Sequence, residues 1–532
     1  MITKLSVILF LLMPFTAIAG GSVPQGTIDS SYSGKCLTPL LVYLRTHPSH
    51  GLQLERIAVG GRPDLETSIV SHSGKFRIHF DTSATSDSLP AMVDQNGNRI
   101  ANSAKQYADT VATIFDSVWN TEIGLFGFPA PPSDNGVDGN EFDVYILDLG
   151  ANNFGETGFD DVPPINPSDT IPRFPAWIKI DNDFGIGFRT KGVAAIEVTA
   201  AHEFFHAIQV GIGVWYNDFQ YYEMTAESME SRVFPAVKDY VFDIGQYFQY
   251  IESTPLYLAS SPQTPGYERA IWAIFLMEQH GIQIMRTWWS DIASQRPWFA
   301  MEQAISANNS SVASEFTQFS QWNFYTNFRA DTVQYYPDAR LFPLVHIEDS
   351  QPVAGGSYTF AGASQSYVPH YFLATINADS TFFIVSNVNT DDARSETHST
   401  FGFSLSASGL NGTLSYSFSA PDPANWKVSA VGESTPSGGM AEGPFPDPFY
   451  PTRGALLFPV SSDPSNAPSI FIFTSSFSLV NEIQSPVVTV VGKRYVSWDG
   501  RDKKGRLVSS GIYFYVVSGK SGQQKGKFAV LR

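Results

Sequence analysis

The chain reads as an α+β domain followed by a β-rich C-terminal half. Three observations carry that reading. Up to Asp181, alternating or continuous apolar runs of strand length lie between turn-forming residues. From Val198 to Phe328, apolar positions recur at helical spacing instead. After Asp338, short alternating runs return, separated by Ser-, Gly- and Thr-rich turns. At 532 residues, 43% hydrophobic and 14% aromatic, the chain is long enough for roughly two to four domains with large cores and too apolar for disorder.

Residues 1–19 predict a secretory signal peptide. Lys4 gives a positive start, Leu5 to Phe15 an apolar stretch, and Ala17-Ile18-Ala19 a small-x-small cleavage site before Gly20. That stretch is too short to span a membrane, and no later one reaches the ~18 apolar residues a span needs. The mature protein is therefore expected to be secreted, with no transmembrane segment. Residues 20–73 are mixed and punctuated by Pro24, Pro39, Pro48 and Pro63, which suits a pro-segment or an extension wrapped over the next domain.

A domain is expected over 74–337. Lys75-Phe76-Arg77-Ile78-His79-Phe80 alternates as a strand does, and Ala104 to Ile123 is helical in pattern, stopped by Gly124 and Gly127. Phe142 to Leu147 and Ala176 to Asp181 read as strands, the second resembling the edge strand beside the active-site helix of zinc peptidases. Further helices are expected at Phe219 to Phe234, Tyr267 to His280, Ile282 to Asp291, Trp298 to Ser306 and Val312 to Phe328. Residues 338–485 read as a β-sandwich with a Pro/Gly-rich loop from Ser434 to Pro451, and 486–532 as a small β unit built on Asp-Gly turns between aromatic strands.

Charge and cysteine usage narrow the function. With 33 basic and 51 acidic side chains the formal charge is −18, which argues against nucleic acid as a partner. Such acidity in an exported protein serves solubility and sometimes Ca²⁺. Asp94-Gln95-Asn96-Gly97-Asn98 starts like a calcium loop, but its twelfth position is Lys105 where a bidentate Glu belongs; Asn-Gly turn chemistry explains it equally well. The single cysteine, Cys36, cannot form an internal disulfide, and no base beside it in sequence marks it as a nucleophile.

The chemistry concentrates in Val198-Thr199-Ala200-Ala201-His202-Glu203-Phe204-Phe205-His206-Ala207-Ile208-Gln209, which contains H-E-x-x-H. Positions four apart share a helix face, so His202 and His206 can point at one Zn²⁺ while Glu203 reaches a water on it as general base. In a chain of this composition the motif would arise by chance about once in a hundred. With strands before it and helices after it, the segment has the element order of a zincin-like domain. Metzincins continue the motif with Gly and a third His, where this chain has Gln209 and Ile212. Gluzincins instead take a Glu from a following helix, and Glu223, Glu227 and Glu230 place three carboxylates on one face. A solvated acidic face would read the same way, but two imidazoles need a third ligand.

The motif and Tyr222-Glu223-Met224-Thr225-Ala226-Glu227-Ser228-Met229-Glu230 together resemble secreted bacterial metalloproteases of gluzincin type, whose second element runs approximately W-x-x-E-G-x-A-x-W-x-E. The resemblance spans roughly Lys75 to Arg329 and departs from the pattern at Gln220, Met224 and Ser228. It implies a peptidase acting on protein or peptide, with Glu223 as third metal ligand and Glu227 as an outer-shell residue or alternative ligand. Tyr267 and His280 are candidates for stabilising the oxyanion. The tail from Trp498 to Arg532 is similar to the Ig-like unit of flagellar hook-capping proteins and to type IX-like sorting regions, although the N-P-x-P-F opening is missing. That resemblance implies secretion machinery or cell-surface attachment. The expected function is zinc-dependent endopeptidase. The rival is a surface adhesin or binding protein with a structural or inactive zincin core, for which Glu203 would serve no purpose.

Overall fold

The computed structural model describes residues 35, 36, 38, 61–83, 89–150, 152–159, 164–257, 266–376, 379–397, 399–410 and 413–432, then shorter stretches between 444 and 532. The signal peptide, most of the 20–60 segment and most of the loop from Ser434 to Pro451 lie outside the described residues. The fold is mixed α and β. Among the described residues, no helix is long and apolar enough to cross a membrane.

The first sheet has five strands: β1 (Thr67–Val70), β2 (Phe76–Phe80), β3 (Phe142–Leu147), β4 (Gly155–Gly158) and β5 (Trp177–Asp181), in spatial order β1-β2-β3-β5-β4. β2, β3 and β5 run parallel and are mostly buried, which accounts for their strong apolar signal. Helix α1 (Ala104–Trp119) buries Tyr107, Val111, Phe115 and Val118 and sets the Phe115 ring 5.2 Å from that of Phe76, tilted by 54°. Two expectations are corrected here. The segment at 67–73 belongs to this sheet and not to the extension, because β1 pairs with β2 and Ser71 and Ser73 hydrogen-bond Asp116 of α1. β5 is an inner strand, and the edge strand is β4, which pairs antiparallel with it. β4 is Gly-Glu-Thr-Gly and carries almost no strand propensity. Its glycines serve close packing, since a Cβ on Gly158 would stand 2.3 Å from the Trp177 ring.

Among the described residues, seven helices follow: α2 (Gly192–Ile212), α3 (Phe219–Val233), α4 (Tyr240–Gln249), α5 (Ala270–His280), α6 (Gln283–Ile292), α7 (Pro297–Ala307) and α8 (Val312–Phe324). α2 carries the histidine motif and is buried from Val198 to Val210 without a break, as a helix covered all round must be. α4 has no counterpart among the expected helices, although Tyr240, Ile244, Tyr247 and Phe248 give it a buried stripe. A 3₁₀ turn, Tyr267–Arg269, leads into α5 from Gly266. Gly266 has φ +113°, and a Cβ there would meet the Gln220 carbonyl oxygen at 2.6 Å. Gly266→Ala is therefore expected to cost about 2–4 kcal/mol, combining backbone strain with overpacking, and to lower the urea midpoint accordingly.

The next strands are β6 (Asp349–Pro352), β7 (Ser357–Ser364), β8 (Val368–Ile376), β9 (Asp379–Asn387), β10 (Phe401–Leu410), β11 (Thr413–Ser419) and β12 (Trp426–Gly432), with the short helix α9 (Thr390–Ser395) after β9. They form sheets of order β11-β10-β7 and β12-β9-β8-β6, with Phe360, Phe372, Phe383, Phe403, Leu405 and Trp426 between them. The second sheet is also covered on its other face by α8: Phe382 meets Phe324 at 4.6 Å, and Tyr371 Oη donates to the Ser320 carbonyl at 2.9 Å. Burial on both faces explains the unbroken run Phe382-Phe383-Ile384-Val385.

A final unit contains β13 (Leu456–Val460), β14 (Ser469–Thr474), β15 (Leu479–Ile483), β16 (Val487–Val490), β17 (Lys493–Trp498), β18 (Gly511–Gly519) and β19 (Gly522–Val530). Its sheets, β13-β17-β16 and β15-β14-β18-β19, enclose a core of their own that includes Phe449, Phe458, Ile472, Trp498, Tyr515 and Phe528. The boundary expected at 485/486 therefore cuts through this unit: β13, β14 and β15 pair within it and not with the preceding sandwich. Deleting Trp498–Arg532 removes β18 and β19 with much of that core, so it is expected to leave 444–497 unfolded. Deleting everything from 444 onward is expected to leave the remainder folded. Limited proteolysis of the two truncations separates the outcomes.

Candidate metal centre

α2 and α3 pack side by side and bring the motif histidines against the glutamates of the next helix. His202 Nε2 and His206 Nε2 stand 3.2 Å apart. Glu223 faces both, with Oε2 3.3 Å from His202 Nε2 and Oε1 3.1 Å from His206 Nε2. Two donors each ~2.0–2.1 Å from a tetrahedral ion are about 3.3–3.4 Å apart, so this triangle has the dimensions of three zinc ligands. All three side chains are at most 1% exposed.

The outer nitrogens fix how the rings are used. His206 Nδ1 lies 2.6 Å from Gln209 Oε1, and the Gln209 amide nitrogen donates to the Tyr222 carbonyl and to Thr225 Oγ1, so Gln209 must accept from the ring. That leaves the His206 Nε2 lone pair facing Glu223 Oε1, an acceptor against an acceptor, and Oε1 has no hydrogen-bond donor. A metal ion held between them, or a proton on Nε2, removes that repulsion. His202 Nδ1 is held at 3.0 Å by Glu230 Oε1 and lies 3.5 Å from Glu227 Oε2. The expected outer-shell contact of Glu227 is thus shared with Glu230, to which the sequence reading assigned no role.

A second acidic group on that outer side already has its cations. Lys35 Nζ sits 3.1 Å from Glu227 Oε2 and 2.9 Å from Asp239 Oδ2 and also pairs with Glu230, while Arg189 bridges Asp239 and Asp243. Burial works against the Lys35 charge, but Asp239, Glu227 and Glu230 outweigh it and hold its pKa above the lysine range. Burial likewise pushes Glu223 up, and His206 followed by the hydrogen bond to His202 brings it below the usual range. Glu227 is raised, first by burial and then by Glu230. Glu223 is the carboxylate that faces the two Nε2 atoms, and Glu227 faces the ammonium of Lys35.

Cys36 belongs to the same constellation. Its Sγ and ligand atoms of His202, His206 and Glu223 all lie within 4.8 Å of one another. Nothing in sequence linked residue 36 to residues 202–223; only the fold brings them together. Glu122 was also unforeseen. It is a fully buried carboxyl in the π-helical turn Asn120–Leu125, without a hydrogen-bond partner among the described residues, and burial holds its pKa well above the carboxylate range.

Glu203 is 1% exposed, its Oε2 2.7 Å from Thr157 Oγ1 on β4. Gly155, on the same edge strand, makes the room: a Cβ there would lie 2.8 Å from Glu203 Cγ and 2.9 Å from Oε1. Tyr267 stands beside the centre, its ring 5.8 Å from that of His202 and its Oη accepting from the Cys36 backbone N–H at 3.0 Å. His280 does not. It ends α5, ten residues and about 15 Å along the helix from Ala270, and pairs with Glu315 of α8 at 3.0 Å. Its candidacy as an oxyanion donor is withdrawn. The suspected calcium loop also closes on itself: Asp94 Oδ1 accepts from the backbone of Asn96 and Asn98, Gly97 takes φ +86°, and Lys105 pairs with Asp109. That is turn chemistry. A cavity of about 1100 Å³, lined by Phe128, Ile171, Trp215, Arg286 and Trp289 among others, lies at the C-terminal end of α2 and takes in none of these groups.

No family profile and no curated protein matches the chain. Among solved structures, one from a study of PorZ, described as an essential bacterial surface component of the type-IX secretion system of Porphyromonas gingivalis, is similar at 20% identity. The likeness covers 24% of this chain and 15% of that one with a TM-score of 0.15, too little to argue fold or function from.

Proposed function

We propose that the chain is a secreted zinc-dependent endopeptidase with a zincin-type active site. The observation that supports it most is the triangle of His202 Nε2, His206 Nε2 and Glu223 with edges of 3.1–3.3 Å, its histidines oriented from behind by Gln209 and Glu230. His202, His206 and Glu223 would hold the ion, which when bound supplies Lewis acidity to a water and to the scissile carbonyl. Glu203 takes a proton from that water at its carboxylate and delivers it to the leaving amine. Thr157 and the bare backbone at Gly155 keep the Glu203 carboxyl in place. Tyr267 is the remaining candidate for steadying the oxyanion. The substrate is protein or peptide in extended form, since β4 is a sheet edge beside Glu203 and can pair with an added strand.

One observation favours the rival reading of a binding protein with a closed, structural metal: the centre is buried. Casein hydrolysis that is abolished by a chelator and restored by Zn²⁺ supports the peptidase. Stoichiometric zinc with no hydrolysis in any form of the protein supports the rival. For the C-terminal unit we keep the reading of a delivery or surface-attachment module, which rests on the resemblance of Trp498 to Arg532. Deletion from 444 onward should then leave catalysis intact and stop surface delivery.

A further inference from the structure

The burial of the centre has a specific cause. Lys35, Cys36 and Thr38 lie along β4, where an incoming peptide would pair. Cys36 bridges Gly155 in parallel register, the Phe154 backbone N–H donates to the Lys35 carbonyl at 2.8 Å, and the Thr157 backbone N–H donates to Thr38 Oγ1 at 2.9 Å. The Lys35 ammonium is locked among Glu227, Glu230 and Asp239, and Tyr267 Oη holds the Cys36 N–H. Between these anchors the Cys36 side chain is 0% exposed and sits with both motif histidines and Glu223.

The geometry points to Cys36 as the fourth ligand of the metal, a built-in latch that keeps this peptidase inactive until the thiolate leaves. This rests on the zinc reading above and adds to it the regulation of the same site. Two observations besides the cysteine carry it. Glu223 Oε1 is a buried acceptor with no hydrogen-bond partner among the described residues, and it faces His206 Nε2 in the same centre. A Cys-His₂-Glu set also completes the four ligands of a closed tetrahedral site, whereas a catalytic site keeps three and leaves one position for water. On opening, the Cys36 sulfur would leave with its electron pair and take a proton from solvent, and the position it gave up would be open to water. Nothing is oxidised or reduced. As the latch lies on the substrate's edge strand, its departure frees the ligand position and the peptide-binding edge together.

Cobalt(II) substitution tests this without relying on activity. The full chain, loaded with cobalt alone, is expected to show tetrahedral d–d bands and a thiolate-to-cobalt charge-transfer band. Cys36→Ala should bind one cobalt, lose the charge-transfer band and cleave casein faster, roughly a hundredfold or more, the scale an intramolecular competitor can impose. Because Cys36 is the chain's single cysteine, a methanethiosulfonate reagent offers the same test on wild-type protein: one mass increment should accompany activation. One bound cobalt with no thiolate band, or equal activity in both variants before and after the reagent, overturns the latch and leaves the metal centre standing. No cobalt in either variant overturns both.

Discussion

Glu203→Gln is expected to keep the metal and to lose peptide hydrolysis by about two to four orders of magnitude. The amide keeps the size of the carboxyl and can still accept from Thr157 Oγ1, now 2.7 Å from Glu203 Oε2, so fold and metal site should stay. What it cannot do is take a proton. The comparison belongs in both the full chain and the Cys36→Ala background, so that latency does not mask the loss. Metal content by mass spectrometry and casein cleavage are the two readouts. Near-wild-type hydrolysis in the Gln variant would remove the general-base role. Loss of metal along with activity would make Glu203 a structural residue of the centre.

The second large effect separates the glutamates of α3. Glu223→Ala should abolish stoichiometric zinc, because it removes the one carboxylate that faces both Nε2 atoms. Glu227→Ala and Glu230→Ala act from behind the His202 ring and should weaken zinc by about 10–100-fold while leaving measurable turnover, the usual range for groups that orient a ligand. Glu230, at 3.0 Å from His202 Nδ1 against 3.5 Å for Glu227, should have the larger effect on the metal. The Glu227 and Glu230 substitutions also take a counter-charge from buried Lys35, so urea unfolding must accompany the zinc titration. Zinc lost with Glu227 and kept without Glu223 would transfer the ligand role.

How far the sequence could be read depended on whether a feature is local. The H-E-x-x-H helix and the acidic face of α3 are periodic, so their alignment on one face could be read in advance, as could β3, whose apolar run is continuous because it is buried on both faces. β4 could not. Gly155 to Gly158 is a strand because its glycines let it lie against Trp177 and Glu203, and those contacts come from residues 19 or more positions away. The same holds for the roles of Lys35 and Cys36, separated from their partners on α3 by nearly 200 residues of chain. His280 erred in the opposite direction. A histidine on the right helix looked usable, but one helix length put it against Glu315. The boundary at 485 failed because the paired strands on either side of it share a composition, and pairing alone assigns them. α4 had a readable stripe in Tyr240, Ile244, Tyr247 and Phe248, hidden by a glycine in its middle, Gly245.

The proposed function requires a zinc ion held by His202, His206 and Glu223. Its most direct test is metal content per chain, by mass spectrometry, of the full-length protein and of His202→Ala and Glu223→Ala purified in parallel and dialysed against micromolar zinc. One zinc per chain in the wild type and none in either variant is the predicted result. A wild type that holds no zinc, or variants that hold as much as it does, would contradict the metal centre and the function built on it.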